Sequence, residues 1–504
     1  MKVLFLNPPF HPRFSRESRS PAVAKSGTLY YPKWLCYAAG VAIKNGHQVE
    51  VLDAPARQVN TQYVIDLIEH AGIQAVVCDT STPSIVNDLR VVEELQSKCP
   101  KLKIIMVGRH VSSLAEETFK KAPFLRYVAI KEYEYTVRDW LAAMECGASP
   151  STVDGLVWRD DHGILIHNKP RDPIANLDEL PMVSEVYKRY LHTPHYFYGH
   201  SLWPLVVFDT SRGCPFRCTF CVYPQTFSGH KMRYRSVNNV ADEFDFIARE
   251  MPEVKTIMLE DDTFIVDKKR TTALAEELIR RGNKIPFDSN CRADTEADLD
   301  FYKTLRKAGA RLFCVGFESG NNEVLKHIKK NLNLNETDRF MKNTRDAGIM
   351  VHGCFMVGNL NETKQTMQET LDLAKRLMPD TAQFFPIMVY PGTAAYEEAK
   401  QKGYLATEDY SQWLTDDGLH ASVVNLPNIT FKELVEFCDH ARREFYLSPK
   451  YIAYKLKQSI TSPTELQRNL KGFSKLVKFL ARGSFGSNKS EVNNTREAAR
   501  GNVG

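Results

Sequence analysis

No stretch of this 504-residue chain reaches the roughly 18 consecutive apolar residues that a membrane-spanning helix needs. Charge of one sign is also missing: 66 Lys and Arg against 61 Asp and Glu leave a net +5, too little over this length to argue for a nucleic-acid partner. The cysteines are not paired. There are 11, an odd number, and Cys36, Cys78, Cys99, Cys146, Cys291, Cys314, Cys354 and Cys438 are scattered singly, mostly in apolar segments where a reduced thiol serves as a small hydrophobe. That distribution excludes a disulfide framework and predicts a reducing, cytoplasmic setting. The opening MKVLFLNPPF is closed by Pro8 and Pro9 without a secretory cleavage pattern, and reads as a buried strand. No short-period repeat is present.

The remaining composition, 43% hydrophobic and 25% charged, is that of a globular protein and excludes a mainly disordered or fibrous chain. VLFLNPP, QVEVLDA, AVVCDTS, KIIMVGRH and YVAIKEY alternate with stretches of helical spacing. They predict a doubly wound parallel sheet over residues 1–145, with a ligand crevice at the strand ends Asn7, Asp53, Thr80, Ser81, Gly108 and Glu132. No G-x-G-x-x-G follows the first strand, so a dinucleotide is not the expected ligand. Residues 146–200 read as a hairpin, GLVWRDDHGILIHNKP, followed by a Pro-punctuated aromatic linker.

Six longer units follow, with LVVFDTS, KTIMLED, PFDSNCRA, LFCVGFES, VHGCFMVG and TAQFFPIMVY as strands. They predict a partial (β/α)6 barrel over residues 201–395, with chemistry at the carboxyl ends of its strands. The fold class is therefore α/β: a doubly wound sheet, a partial barrel, and a basic helical region over 396–483. Those helices read either as a cap on the barrel or as a peripheral contact for an anionic membrane. Residues 484–504 read as a disordered tail.

The strongest chemical signal is Cys214-Pro-Phe-Arg-Cys218-Thr-Phe-Cys221, directly after the first barrel strand. Three thiolates at this spacing can ligate three irons of a [4Fe–4S] cube and leave the fourth iron without a protein ligand. A structural zinc site would need a fourth ligand with its own paired spacing, and none is obvious.

At this loop the chain resembles the radical S-adenosylmethionine superfamily, whose motif is C-x3-C-x2-C with an aromatic residue before the last Cys, here Phe220. The resemblance implies that the open iron chelates S-adenosylmethionine. Reductive cleavage then yields a 5′-deoxyadenosyl radical, with an electron donor such as flavodoxin or ferredoxin. It also implies cofactor contacts at further strand ends: Glu260, Asp261 and Asp262 near the ammonium, Arg292 toward the methionine carboxylate, and Glu318 and Ser319 in Gly316-Phe-Glu318-Ser319-Gly320. Gly353 and Gly358-Asn-Leu-Asn-Glu362-Thr lie at the fifth strand and Tyr390-Pro-Gly-Thr393 at the sixth, so the resemblance runs from about Phe208 to Thr393.

A doubly wound domain ahead of such a barrel resembles the cobalamin-binding arrangement of the class B radical enzymes, which implies cobalamin near Thr80, Ser81 and Gly108. D-x-H-x-x-G is absent, so a lower-axial histidine is not expected. Gly108-Arg109-His110 stands where that group usually has Gly-Gly, and Lys131-Glu132-Tyr133-Glu134 where it has G-E-x-E. Within the group, LNPPF, YYPKWL, KEYEYTV, VYKRYL, RYRS and LEDDTF resemble the hopanoid-associated bacteriohopanetetrol cyclitol ether synthase type. That implies radical ring contraction, or methylation, of a glycosylated or lipid-linked small molecule. The other readings are a methyltransferase of a soluble natural-product precursor, an RNA methylthiotransferase, for which a second cysteine cluster is lacking, and a non-catalytic corrinoid or redox-sensing module.

Overall fold

A computed structural model describes residues 1–24, 26–295, 297–461 and 466. Seven strands form the first sheet: β1 (Lys2–Asn7), β2 (Gln48–Asp53), β3 (Ala75–Thr80), β4 (Lys103–Gly108), β5 (Tyr127–Ala129), β6 (Leu156–Arg159) and β7 (Leu165–His167). Their order is β2-β1-β3-β4-β5-β6-β7. The first five pair in parallel as near-continuous apolar runs, because helices cover both faces.

The hairpin expected in the linker instead extends this sheet. Leu156, Val157 and Trp158 of β6 pair antiparallel with Ala129, Val128 and Tyr127 of β5. The exposed edge of the three-residue β5 is thereby covered. The first sheet therefore extends past residue 145 to His167.

A short ribbon, β9 (Ser211–Arg212) with β10 (Arg233–Tyr234), flanks the second sheet. That sheet comprises β8 (Leu205–Phe208), β11 (Thr256–Leu259), β12 (Phe287–Cys291), β13 (Ala310–Glu318), β14 (Met350–Val357) and β15 (Thr381–Pro386). All its pairings are parallel, in the order β15-β14-β13-β12-β11-β8, so it is the expected open six-stranded barrel. The helix Val237–Glu250 returns the chain between β10 and β11; its N-cap Ser236 accepts from the Asn239 N–H.

The two sheets share one apolar core, and buried charge fastens them. The helix Lys33–Lys44 lies between them: Lys33 Nζ donates to Asp209 Oδ1 at 2.5 Å, and the Arg212 guanidinium sits 4.2 Å from the Trp34 ring centre. Glu132 accepts from Arg233 Nη1 at 2.8 Å, and Glu134 pairs with Arg212 at 2.7 Å. The acidic pair after β5 thus holds the N-terminal sheet to the barrel.

β15 would leave an open edge. The helices Phe431–Tyr446 and Pro449–Thr461 close it with side chains: Tyr446 OH donates to Ala382 O, Arg442 Nη2 to Phe384 O, and Tyr451 OH to Asp380 O. Of the two readings of the basic helices, the described part acts as a cap on the barrel. The stretch SKLVKFLARG and residues 484–504 lie outside the described residues. No described helix is long and apolar enough to cross a membrane.

Candidate functional site

In a barrel strand, alternate side chains point inward. Met258, Glu260 and Asp262; Asn290 and Arg292; Cys314, Gly316 and Glu318; and His352, Cys354 and Met356 all line one cavity of about 1630 Å³. Cys214, Cys218, Phe220 and Cys221 form its wall at the carboxyl ends of the strands. Trp203, Lys255, Pro286 and Thr381, at or just before the starts of their strands, line the opposite end. The cavity therefore runs the length of the barrel.

The three loop cysteines are half-buried. Gln225 Nε2 holds the loop's shape by donating to the carbonyls of Cys218, Thr219 and Cys221. Burial pushes the Cys214 thiol up to about 11 and the Cys221 thiol up to about 12, the latter opposed by the Arg19 charge. Among the described residues, the group whose ligand atoms converge within 4.8 Å, as one ion requires, does not include these thiols. A cube spreads its ligands over three irons, so wider spacing suits it and a single zinc does not.

The three successive carboxylates divide their work. Glu260 faces the cavity, with Asn290 Nδ2 donating to it at 3.4 Å. Asp261 is buried away from the cavity and accepts from Thr210 N, Thr210 Oγ1 and Ser211 Oγ, each at 2.6 Å; it fixes the strand that leads to the cysteine loop. Asp262 is paired with Arg19 at 3.1 Å. None of them caps the following helix, a role taken by Asp267.

Arg292 lines the cavity beside Cys218, with Nη1 3.9 Å from its sulfur, stacked 3.7 Å over Phe216 and held by Asp294. Glu318 ends β13 with φ 62°, a left-handed conformation that costs a non-glycine residue roughly 1 kcal/mol or more. The register shift between Gly316 and Glu318 brings its carboxylate to Lys330 Nζ at 3.0 Å. Ser319 and Gly320 do not reach the cavity. Ser319 Oγ lies 3.2 Å from Thr370 Oγ1, and a Cβ on Gly320 would stand 2.2 Å from Glu369 O. Gly353 likewise serves packing, against Phe355 and Pro379.

At the fifth strand end, Glu362 accepts from Gly358 N at 2.6 Å and Asn359 N at 2.9 Å. Burial raises its carboxyl from 4.5 to about 7. The folded chain thus holds this proton more tightly than the unfolded one, and the contribution is fully present below about 4.5 and lost as pH rises through about 7. Glu362→Gln should remove that loss, so wild type should lose up to roughly 3 kcal/mol more than the variant between pH 4.5 and 8. Parallel denaturation-versus-pH curves for the two proteins would contradict it.

At the carboxyl edge of the first sheet, the side chains expected near cobalamin bond within the protein. Thr80 and Ser81 are buried and bonded inward, to Val107 O at 2.7 Å and Ser84 Oγ at 2.7 Å. Gly108, at φ 104°, has Asp79 Oδ1 2.5 Å from where a Cβ would stand. His110 is buried against Tyr410, its imidazole pushed down to about 3 by burial. Arg16 covers the strand ends, donating to Ser84 Oγ and Pro8 O and pairing with Asp88. Ser15, Ser18, Arg19, Ser20, Ser26 and Tyr30 of the N-terminal domain line the cavity. The same alternation could have found Asn290, Cys314, His352 and Cys354 in the sequence, because polar residues at every second place of an apolar strand mark its inner face.

The Radical SAM superfamily model matches residues 209–374, and the B12 binding domain model matches residues 19–141. The chain thus carries a B12-binding domain followed by a radical S-adenosylmethionine domain, and the cofactors that go with these two domains are a [4Fe–4S] cluster, S-adenosylmethionine and cobalamin. It is 27% identical over 452 residues to an uncharacterized methyltransferase of Pyrococcus horikoshii, covering 90% of this chain and 94% of that one. It is 25% identical over 407 residues to the anaerobic magnesium-protoporphyrin IX monomethyl ester cyclase of Rubrivivax gelatinosus, covering 80% and 70%. Among solved structures, the methyltransferase TsrM of Kitasatospora setae aligns with a TM-score of 0.67 at 17% identity, covering 89% and 90%. The cobalamin-dependent radical enzyme OxsB aligns at 0.69 and 17%, covering 99% and 75%. These two likenesses show the fold.

Proposed function

We propose that the chain rearranges, by ring contraction, or methylates an amphiphilic small molecule: a glycosyl or polyol head on an apolar body, as in a hopanoid polyol. The observation that carries this reading is the cavity's two-ended character. Its cysteine end holds Glu260, Asn290, Arg292, Glu318 and Lys330, all able to bond a hydroxylated head. Its far mouth carries Trp203, Leu447, Ile452 and Leu456, each at least 40% exposed. Large apolar side chains left open to water around a cavity mouth suit an apolar body entering there.

When bound, the cluster and S-adenosylmethionine supply the electron and the hydrogen-abstracting group, and cobalamin a methyl carrier. The chain's own residues position and exclude. Asn290 orients the Glu260 carboxylate toward the cavity, Asp294 and Phe216 fix the Arg292 guanidinium beside Cys218, and the C-terminal helices close the side of the barrel against water. Ser15, Ser18, Arg19, Ser20 and Tyr30 line the cavity from the N-terminal domain and are offered to cobalamin beside Thr80, Ser81 and Gly108.

Each buried methylene contributes about 0.8 kcal/mol, so two of them are worth roughly tenfold in kcat/KM. A lipid-linked polyol should therefore drive 5′-deoxyadenosine release at least tenfold better than its free head group. Leu456→Ser should raise KM for the lipid-linked form and leave the free head unchanged. Equal turnover of the two substrates would remove the amphiphile from the reading. Product mass then separates the two reactions: an unchanged mass marks rearrangement and an added methyl marks transfer.

A further inference from the structure

Cys314 and His352 face each other across the β13–β14 ladder, and Cys354 follows two residues on along β14. All three side chains therefore project from the inner face of the barrel, and all three line the cavity. The sequence alone gave the two cysteines a packing role as separate small hydrophobes. In the structure one ligand atom from each of the three residues lies within 4.8 Å of the others, the one such group among the described residues. The two sulfurs are 3.8 Å apart. Two thiolates at the ~2.3 Å zinc–sulfur distance of a tetrahedral site stand about 3.8 Å apart as well.

The imidazole is already oriented. Thr381, the rung partner of His352 on β15, places its Oγ1 2.7 Å from His352 Nδ1, and the His200 ring stacks on His352 with centroids 4.7 Å apart. Such outer contacts fix a ligating histidine in metal sites. The group is separate from the Cys214–Cys221 loop: Cys314 lies four residues, roughly 13 Å of strand, before the strand end at Glu318.

We propose that Cys314, His352 and Cys354 form a mononuclear site for zinc or a similar soft divalent cation inside the barrel, with its fourth coordination position open to the cavity. Two thiolates and a neutral imidazole balance a dication, and they are the donor set such ions prefer. Without a cation, the neighbouring Cys314 thiol and burial hold the Cys354 thiol well above its ordinary range. A bound dication reverses that preference and releases the protons to solvent. The open position would take an oxygen or nitrogen donor, and a hydroxyl of a polyol head is one. That last clause rests on the amphiphile reading; binding of the metal does not.

The test uses the full chain carrying Cys214→Ala, Cys218→Ala and Cys221→Ala, which removes the iron–sulfur loop as a competing ligand. Incubated with zinc and desalted, it should retain about one zinc per chain by elemental analysis. Cobalt(II) in its place should give a near-ultraviolet thiolate-to-cobalt charge-transfer band. Adding Cys314→Ser, Cys354→Ser or His352→Gln should weaken zinc binding at least tenfold. Either serine change should also weaken the cobalt band. Zinc should raise the melting temperature of the parent but not of the serine variants, and melting without zinc checks that they fold. Retention below a tenth of an equivalent, retention unchanged by the serine variants, or loss of two free thiols to a disulfide in place of metal uptake would overturn the site.

Discussion

Replacing Cys214, Cys218 or Cys221 singly by Ala abolishes reductant-dependent release of 5′-deoxyadenosine by the anaerobically reconstituted enzyme. The three thiols share one loop at the carboxyl end of the barrel, and no fourth cysteine of the chain stands within that loop to replace a lost ligand. Cys291, which also lines the cavity, sits on β12 with its sulfur 3.4 Å from Ser289 Oγ. A two-thiolate remnant would hold a cube weakly and leave a second iron open, so both cluster content and cleavage should fall. We expect a loss of at least a hundredfold in cleavage, with the fold preserved because the loop backbone is tied by Gln225 and by Thr219 N donating to Ile328 O. A variant lacking all three thiols that kept full iron content and cleavage would end the assignment.

The second large effect is on stability. Asp88→Ala should destabilise the N-terminal domain by about 3–5 kcal/mol. The Arg16–Asp88 pair, 2.5 Å apart, has both side chains fully shielded from water, and Arg16 also donates to Ser84 Oγ at 3.2 Å and Pro8 O at 3.0 Å. Deleting the carboxylate leaves the buried guanidinium without its paired partner, and the cost is that of the unpaired charge, not of one hydrogen bond. The double change Arg16→Met with Asp88→Leu removes both charges and should recover most of the loss. Denaturant unfolding followed by fluorescence, with Trp140 buried in this domain as one reporter, measures both variants. A single variant within 1 kcal/mol of wild type, or a double variant no better than the single, would contradict the argument.

Much of this architecture was legible in the sequence because parallel strands covered on both faces read as short continuous apolar runs. The eleven expected parallel strands all form, and the cysteine loop follows the first barrel strand. The pairing of β6 with β5 was not legible, since a hairpin carries no local mark of which sheet edge it will join. Nor were the roles of Glu260, Asp261 and Asp262. Their side chains alternate in direction at the strand end, and the partner of Asp262 is Arg19, 243 residues away. The strand ends Thr80, Ser81 and Gly108 were read as a crevice because open α/β sheets bind ligands there. In this chain Arg16, from the loop after β1, covers that edge, a contact made by a side chain whose place no periodicity fixes.

Under the proposed function, a substrate's polar head lies near Glu260 and Glu318, which line the same cavity as the cysteine loop. The most direct measurement is deuterium transfer. The reconstituted enzyme is supplied with a lipid-linked polyol deuterated in its head group, and the released 5′-deoxyadenosine is analysed by mass spectrometry. The account predicts 5′-deoxyadenosine enriched in deuterium in step with product formation. Product formed alongside wholly unlabelled 5′-deoxyadenosine would contradict it.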